Sequence, residues 1–94
     1  MPALHFEWDP RKSASNARKH KVTFEEARST FADPNGLLIA DPDHSRDEDR
    51  FVLLGLSYAT RLLVVCHVLR SDAVRIISAR KATPREAATY RRNR

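Results

Sequence analysis

The run from Val74 to Glu86 constrains the fold more tightly than any other part of the chain. Val74, Ile76 and Ser78 alternate with Arg75, Ile77 and Ala79, a period-2 pattern that predicts a strand with one packed face and one mixed face. Arg80 and Lys81 end the strand. Thr83-Pro84-Arg85-Glu86 then reads as a helix start, with Thr83 at the cap, Pro84 at the first helical position and Glu86 closing a capping box. A packed strand thus runs into a helix N-terminus with two cations at the junction. Helix N-termini already favour anions, so the junction predicts a phosphate-facing surface.

The flanking residues fit an α+β domain. His5-Phe6-Glu7-Trp8 predicts a short strand, and Asp9-Pro10 caps a helix that runs to about His20. Ala14 and Ala17 are its apolar anchors, so it is expected on the surface with Arg11, Lys12, Arg18 and Lys19 solvated. Thr23 and Glu26 form a second capping box, and Phe24, Ala27 and Phe31 line up as one helical stripe. Asp33-Pro34-Asn35-Gly36 is a turn. Leu37 to Asp41 predicts a strand, and residues 41–49 an acidic loop. Phe51 to Leu56 and Leu62 to Leu69 are apolar on both alternating faces, as strands inside a covered sheet are. Gly55 marks a bulge or a close backbone approach. Arg70-Ser71-Asp72 is a tight connection into the strand at Val74. The expected order is β-α-α-β-β-β-β-α in one domain, residues 1–94, with an antiparallel sheet and the helices packed on one face.

Charge bounds the partners. The net charge is +5, a balance suited to nucleic acid or an acidic protein. It is unevenly spread, with five cations and no acid in residues 11–21 and nine cations against Asp72 and Glu86 in residues 61–94. Cys66 is the sole cysteine, which excludes an intramolecular disulfide and a cysteine zinc site and reads as a small buried hydrophobe. No metal-ligand spacing, glycine-rich phosphate loop or nucleophile elbow is present, and no cofactor is expected. The longest apolar run, Leu62 to Cys66, is too short to span a membrane and no leader-like segment opens the chain, so a cytoplasmic location is expected.

Two cationic sets are candidates for anion binding: Arg18, Lys19 and Lys21 around His20, and Arg75, Arg80, Lys81 and Arg85. Arg75 and Arg80 lie in or at the end of an apolar strand, where a long cation must snorkel or meet an anion. His67 interrupts an apolar face shared with Leu63, Val65 and Leu69, and either packs with a hydrogen bond or serves as a general acid or base. A connection of Arg70 to Asp72 sets His67 opposite Arg75. If Ala73 joins the loop, His67 faces Ile76 and shares a face with Ser78 and Arg80. Tyr90 lies one turn after Glu86, where its hydroxyl could reach a phosphate.

Phe6-Glu7-Trp8-Asp9-Pro10, Lys12, Asn16, Arg18-Lys19-His20, Val22-Thr23-Phe24-Glu25-Glu26-Ala27, Phe31, Asp33-Pro34, Glu48-Asp49-Arg50-Phe51, Gly55 and above all Arg75-Ile76-Ile77-Ser78-Ala79-Arg80-Lys81-Ala82 resemble the BrnT toxins of bacterial type II toxin-antitoxin systems. Lys21 departs from a pattern that usually has glycine there. The resemblance implies a RelE-like fold, a ribonuclease that inhibits translation, and neutralisation by a BrnA-type antitoxin that carries the operator DNA-binding domain. On that reading the RNA is cleaved without a metal ion, free or on the ribosome. Arg80 and Arg75 would hold the phosphate, with Lys19, Lys21, Lys81 and Arg85 as RNA contacts. His67, His20 or Tyr90 would move the proton. The acidic loop and the sheet edge are candidate antitoxin surfaces. The competing class is a non-catalytic basic binding module.

Overall fold

The computed structural model describes residues 4–41 and 49–93. The predicted element order is present: β1 (His5–Glu7), α1 (Pro10–His20), α2 (Phe24–Ser29), a 3₁₀ turn (Thr30–Ala32), β2 (Leu37–Ala40), β3 (Arg50–Leu56), β4 (Leu62–Arg70), β5 (Ala73–Lys81) and α3 (Pro84–Arg92). Glu48, His44 and most of the acidic loop lie outside the described residues.

One five-stranded sheet carries the chain, in the order β1-β5-β4-β3-β2. The meander from β2 to β5 is antiparallel, as short connections dictate. The sheet as a whole is mixed, because β1 pairs parallel to β5, Phe6 beside Val74 and Glu7 beside Arg75. The two strands are far apart in sequence, with two helices and three strands between them, so no hairpin forces them to be antiparallel.

The helices also divide between two faces, where a single covered face was expected. Val22, Phe24 and Ala27 pack with Leu53, Leu63, Val65, Val74, Ile76 and Ala79, joined by Phe6, Trp8 and Phe31. Phe24 is fully buried, which stabilises the fold by about 1.5–3 kcal/mol. The alternate residues Leu54 and Val64 point the other way and meet Tyr90 of α3. Both β3 and β4 are apolar on each side, so each side needs cover, and α3 supplies it for one part of the second face.

Local chemistry explains the helix ends. Asp9 accepts from the Arg11 amide at 2.8 Å ahead of Pro10. At Thr83 the reciprocal capping box is complete. At Thr23 only half of it forms: Thr23 accepts from the Glu26 amide at 3.1 Å, but the Glu26 carboxylate turns inward. It takes the Ser57 hydroxyl at 2.7 Å and Arg61 Nε at 2.9 Å, with Arg61 Nη2 on its other oxygen. The Arg61 hydrogen bonds lower the Glu26 pKa against the opposing effect of burial. Helix α1 ends at Lys21, which has φ 60° and ψ 32° and donates its backbone N–H to Ala17. That left-handed position is one that glycine fills without steric cost. Gly55 marks a close approach: a Cβ there would stand 3.1 Å from both Cβ and the carbonyl oxygen of Thr30.

The feature that shapes the second face is a bulge in β5. His67 pairs with Ile76, but the next pair is Cys66 with Ser78, which leaves Ile77 as an extra residue. Ala79 then takes the buried place that strict alternation gives to Ser78. Arg75 and Arg80, five residues apart, would stand on opposite faces of a regular strand. Past the bulge they stand on the same one, with Ser78 between them. Because β1 pairs only as far as Arg75, the outer edge of β5 beyond it needs other partners. Asn16 of α1 provides them. Its side-chain amide donates to the Ala79 carbonyl at 2.8 Å and to Val22 O at 2.9 Å, and its oxygen accepts from the Ala79 N–H at 3.1 Å.

Replacing Asn16 with alanine strands buried backbone groups, each costing about 1–3 kcal/mol. Urea unfolding of Asn16→Ala is expected to show a loss of at least about 2 kcal/mol on that basis. A loss under about 0.5 kcal/mol, the range of neutral surface changes, would show that the clamp does not hold the edge.

Candidate active site

A cavity of about 210 Å³ opens where α1 crosses the outer edge of β5. Its walls are Lys12, Ser15, Lys19 and His20, and its floor is Asn16, Ile77 and the bulge residue's neighbour Ser78. The α1 residues recur at 12, 15, 16, 19 and 20, the spacing of one helix face. That face, polar and cationic, is the one that α1 turns to the sheet edge. Asn16 is its buried member, while Ala14, expected to anchor the helix, is exposed.

Arg75, Ser78 and Arg80 share the second face of the sheet with Cys66, Val68 and Val64 of β4. Cys66 is half-buried there, more open than expected. Glu7 joins them from β1, with Arg75 Nη1 at 3.3 Å from Glu7 Oε2. At the other end Arg80 forks onto Glu86, Nη1 to Oε1 at 2.8 Å and Nη2 to Oε2 at 2.9 Å. Glu86 also accepts the Thr83 amide at 2.8 Å. These donors, the Arg80 guanidinium first, hold its carboxyl at a pKa of about 2. Arg80 is therefore neutralised and positioned by the helix it precedes, while the cations around the cavity line a wall with no such carboxylate on it.

The remaining candidates are dispersed. His67 is 1% exposed and lies on the opposite face from Arg75 and Arg80. The register sets it opposite Ile76, as in the second of the two readings, but the bulge removes Ser78 and Arg80 from its face. Its ring packs edge-on to Phe31 and stacks on Phe51, and Nδ1–H donates to Val65 O at 3.1 Å. Burial pushes its pKa below the ordinary value. Lys81 pairs with Leu63 and projects to that same first face, toward the side of Glu26. Lys21 caps α1 beside His20 and does not line the cavity. Tyr90 is buried and donates its hydroxyl to Asp33 Oδ2 at 2.7 Å. Arg85 is exposed in the first turn of α3, beyond Arg80.

Residues 8–86 match the family described as ribonuclease toxin, BrnT, of type II toxin-antitoxin system. The chain belongs to the BrnT toxin family. The fold agrees: the crystal structure of the Brucella abortus ribonuclease toxin BrnT superposes with a TM-score of 0.67 at 20% identity, covering 86% of this chain and 99% of that one. No curated protein sequence matches. As a BrnT-family ribonuclease toxin, the chain has a protein antitoxin as partner. Among the described residues, no helix is long and apolar enough to cross a membrane, and no cluster of three or more His, Cys, Asp or Glu side chains could hold a metal ion.

The sequence reading missed Lys12, Ser15 and Asn16 as site residues because the packed face of α1 is polar. Their shared spacing with Lys19 and His20 was the available signal.

His67 supplies a test by titration. An unfolded histidine protonates near pH 6.5, whereas the buried ring resists protonation until lower pH. Stability is therefore complete above the unfolded value and declines as pH falls below it. His67→Leu is expected to flatten the loss of urea stability between pH 6.5 and 5 and to leave RNA cleavage unchanged. A steep loss that persists in the variant would assign it to other groups.

Proposed function

We propose that this BrnT-family chain cleaves RNA without a metal ion, by attack of the ribose 2′-hydroxyl on its own 3′-phosphate, at the cavity between α1 and β5. The observation that carries the proposal is the bulge at Ile77. It sets Ser78 beside Lys12, Lys19 and His20 around one cavity, with Arg75 and Arg80 on the adjoining face.

The chemistry needs cations for the crowded phosphate, an acid for the leaving oxygen and a base for the hydroxyl. Lys12 and Lys19 hold the phosphate in the cavity, and Arg75 reaches it from the strand. His20, on the cavity wall, protonates the leaving 5′-oxygen. Arg80, steered by Glu86, and Arg85 contact the strand farther along. His67, Lys81 and Tyr90 take no part, since each is turned away or engaged elsewhere. DNA lacks the attacking hydroxyl and is inert.

In this reading cleavage inhibits translation in the bacterial cytoplasm, and a BrnA-type antitoxin neutralises the chain and brings the complex to operator DNA. The edge strand β2 supports a strand-pairing contact with it. Leu38 and Ile39 are 57% and 51% exposed on opposite faces, and no charged residue or proline guards Leu37–Ala40.

Purified chain incubated with RNA in EDTA is expected to release fragments ending in cyclic or 3′-phosphate. Lys19→Ala and Arg75→Ala should each lower kcat/KM by about 10²–10³-fold, the scale for losing one transition-state donor. Fragments made equally well by both variants would move the site elsewhere. Salt-sensitive RNA binding with no product, even on ribosomes, would favour the binding-module reading.

A further inference from the structure

We infer that Glu7 is the general base of this reaction, an inference that rests on the cleavage proposed above. β1 runs parallel to β5 with Glu7 in register with Arg75, so the carboxylate stands on the same face as Arg75 and Ser78. Along β5, the rise of a strand puts that position roughly 7–10 Å from Ile77 and Ser78 on the cavity floor. That is a separation along the backbone, and the Glu7 side chain reaching across it closes part of the gap to a 2′-hydroxyl beside the phosphate. With the phosphate over Ser78 between Lys12 and Lys19, the 2′-hydroxyl falls on the Glu7 side and the 5′-oxygen on the His20 side.

Four other carboxylates among the described residues are committed elsewhere. Glu86 is held by both arms of Arg80 and by the Thr83 amide, which keep its pKa at about 2 and make it a weak base with its oxygens occupied. Glu26 is buried on the opposite face with Arg61 and Ser57. Asp9 caps α1, and Asp33 receives Tyr90 and the Leu56 amide. Glu7 is 44% exposed and meets Arg75 through one long contact of 3.3 Å. When the guanidinium turns to the phosphate, lone pairs of Glu7 are left to accept the hydroxyl proton.

The step balances. Glu7 removes the proton from the 2′-hydroxyl, O2′ bonds to phosphorus, the bond from phosphorus to O5′ breaks, and O5′ takes a proton from the His20 imidazolium. A 2′,3′-cyclic phosphate and a 5′-hydroxyl leave, and solvent water returns the proton from Glu7 to His20.

The test compares Glu7→Gln, Glu7→Asp and His20→Ala on a labelled single-stranded oligoribonucleotide. Glu7→Gln is expected to lose about 10²–10⁴-fold in kcat with little change in KM, the scale of a lost acid-base group. Glu7→Asp, which keeps a carboxylate one methylene short, should fall between it and wild type. A substrate with a 5′-thio leaving group, which needs no acid, should restore His20→Ala and leave Glu7→Gln impaired. Glu7→Gln within about threefold of wild type, or its rescue by the thio substrate, would overturn Glu7 as base while leaving the cleavage reading intact. A wild-type chain that cleaves no RNA, with or without ribosomes, would overturn both.

Discussion

The face proposed to meet RNA depends on the clamp between Asn16 and Ala79, which supports the bulge at Ile77. A strand that gains a residue loses regular pairing and bends, and here the bend falls where β1 has already ended. Backbone groups of Ala79 left without partners in the core would each cost about 1–3 kcal/mol. The Asn16 amide imitates a neighbouring strand, offering one donor and one acceptor to the same residue. Its second N–H takes Val22 O, so the clamp also ties the connection between α1 and α2 to the sheet. Both consequences bear on function. α1 is held by its polar side against β5, and the arginines on either side of the bulge are turned to one face.

The charges on that face are arranged in two ways. Arg80 and Glu86 form a closed, bidentate pair that also completes the cap of α3, an arrangement that fixes geometry and leaves little charge to offer. Arg75 and Glu7 form an open pair with one long contact, which a phosphate can displace with little loss, because exposed pairs contribute only about 0–1 kcal/mol. The cavity beside them presents lysine ammonium groups on flexible stems, suited to a phosphate as point charges. The opposite face, with His67 between Phe31 and Phe51, is core.

The α+β class, the element order and the helix caps were legible in the sequence because each rests on local chemistry: Asp9-Pro10, Thr83-Pro84 and the apolar parity of β3 and β4. The basic α1 cluster and the strand arginines were legible as candidates for the chemistry proposed above. Which of them meet was not. Period-2 counting assigned Ser78 to the face of Val74 and Ile76, and a bulge cannot be counted from alternation when Ile77 and Ala79 fit either parity. The same slip made His67 look like a neighbour of Arg80. The division of helices between faces was missed because Tyr90 was weighed as a phosphate contact, while its ring is what covers Leu54 and Val64. Glu7 was hidden for a different reason: a parallel pairing across most of the chain carries no local signal.

The most direct test of the account is a chemical-shift titration of the ¹⁵N-labelled chain with a 2′-O-methyl oligoribonucleotide, which cannot supply the attacking hydroxyl and so is not cut. The account predicts that the largest amide shifts fall at Lys19, His20, Arg75 and Ser78, and that they weaken as salt is raised. Shifts centred on Phe31, His67 and Leu69, across the sheet, would contradict it.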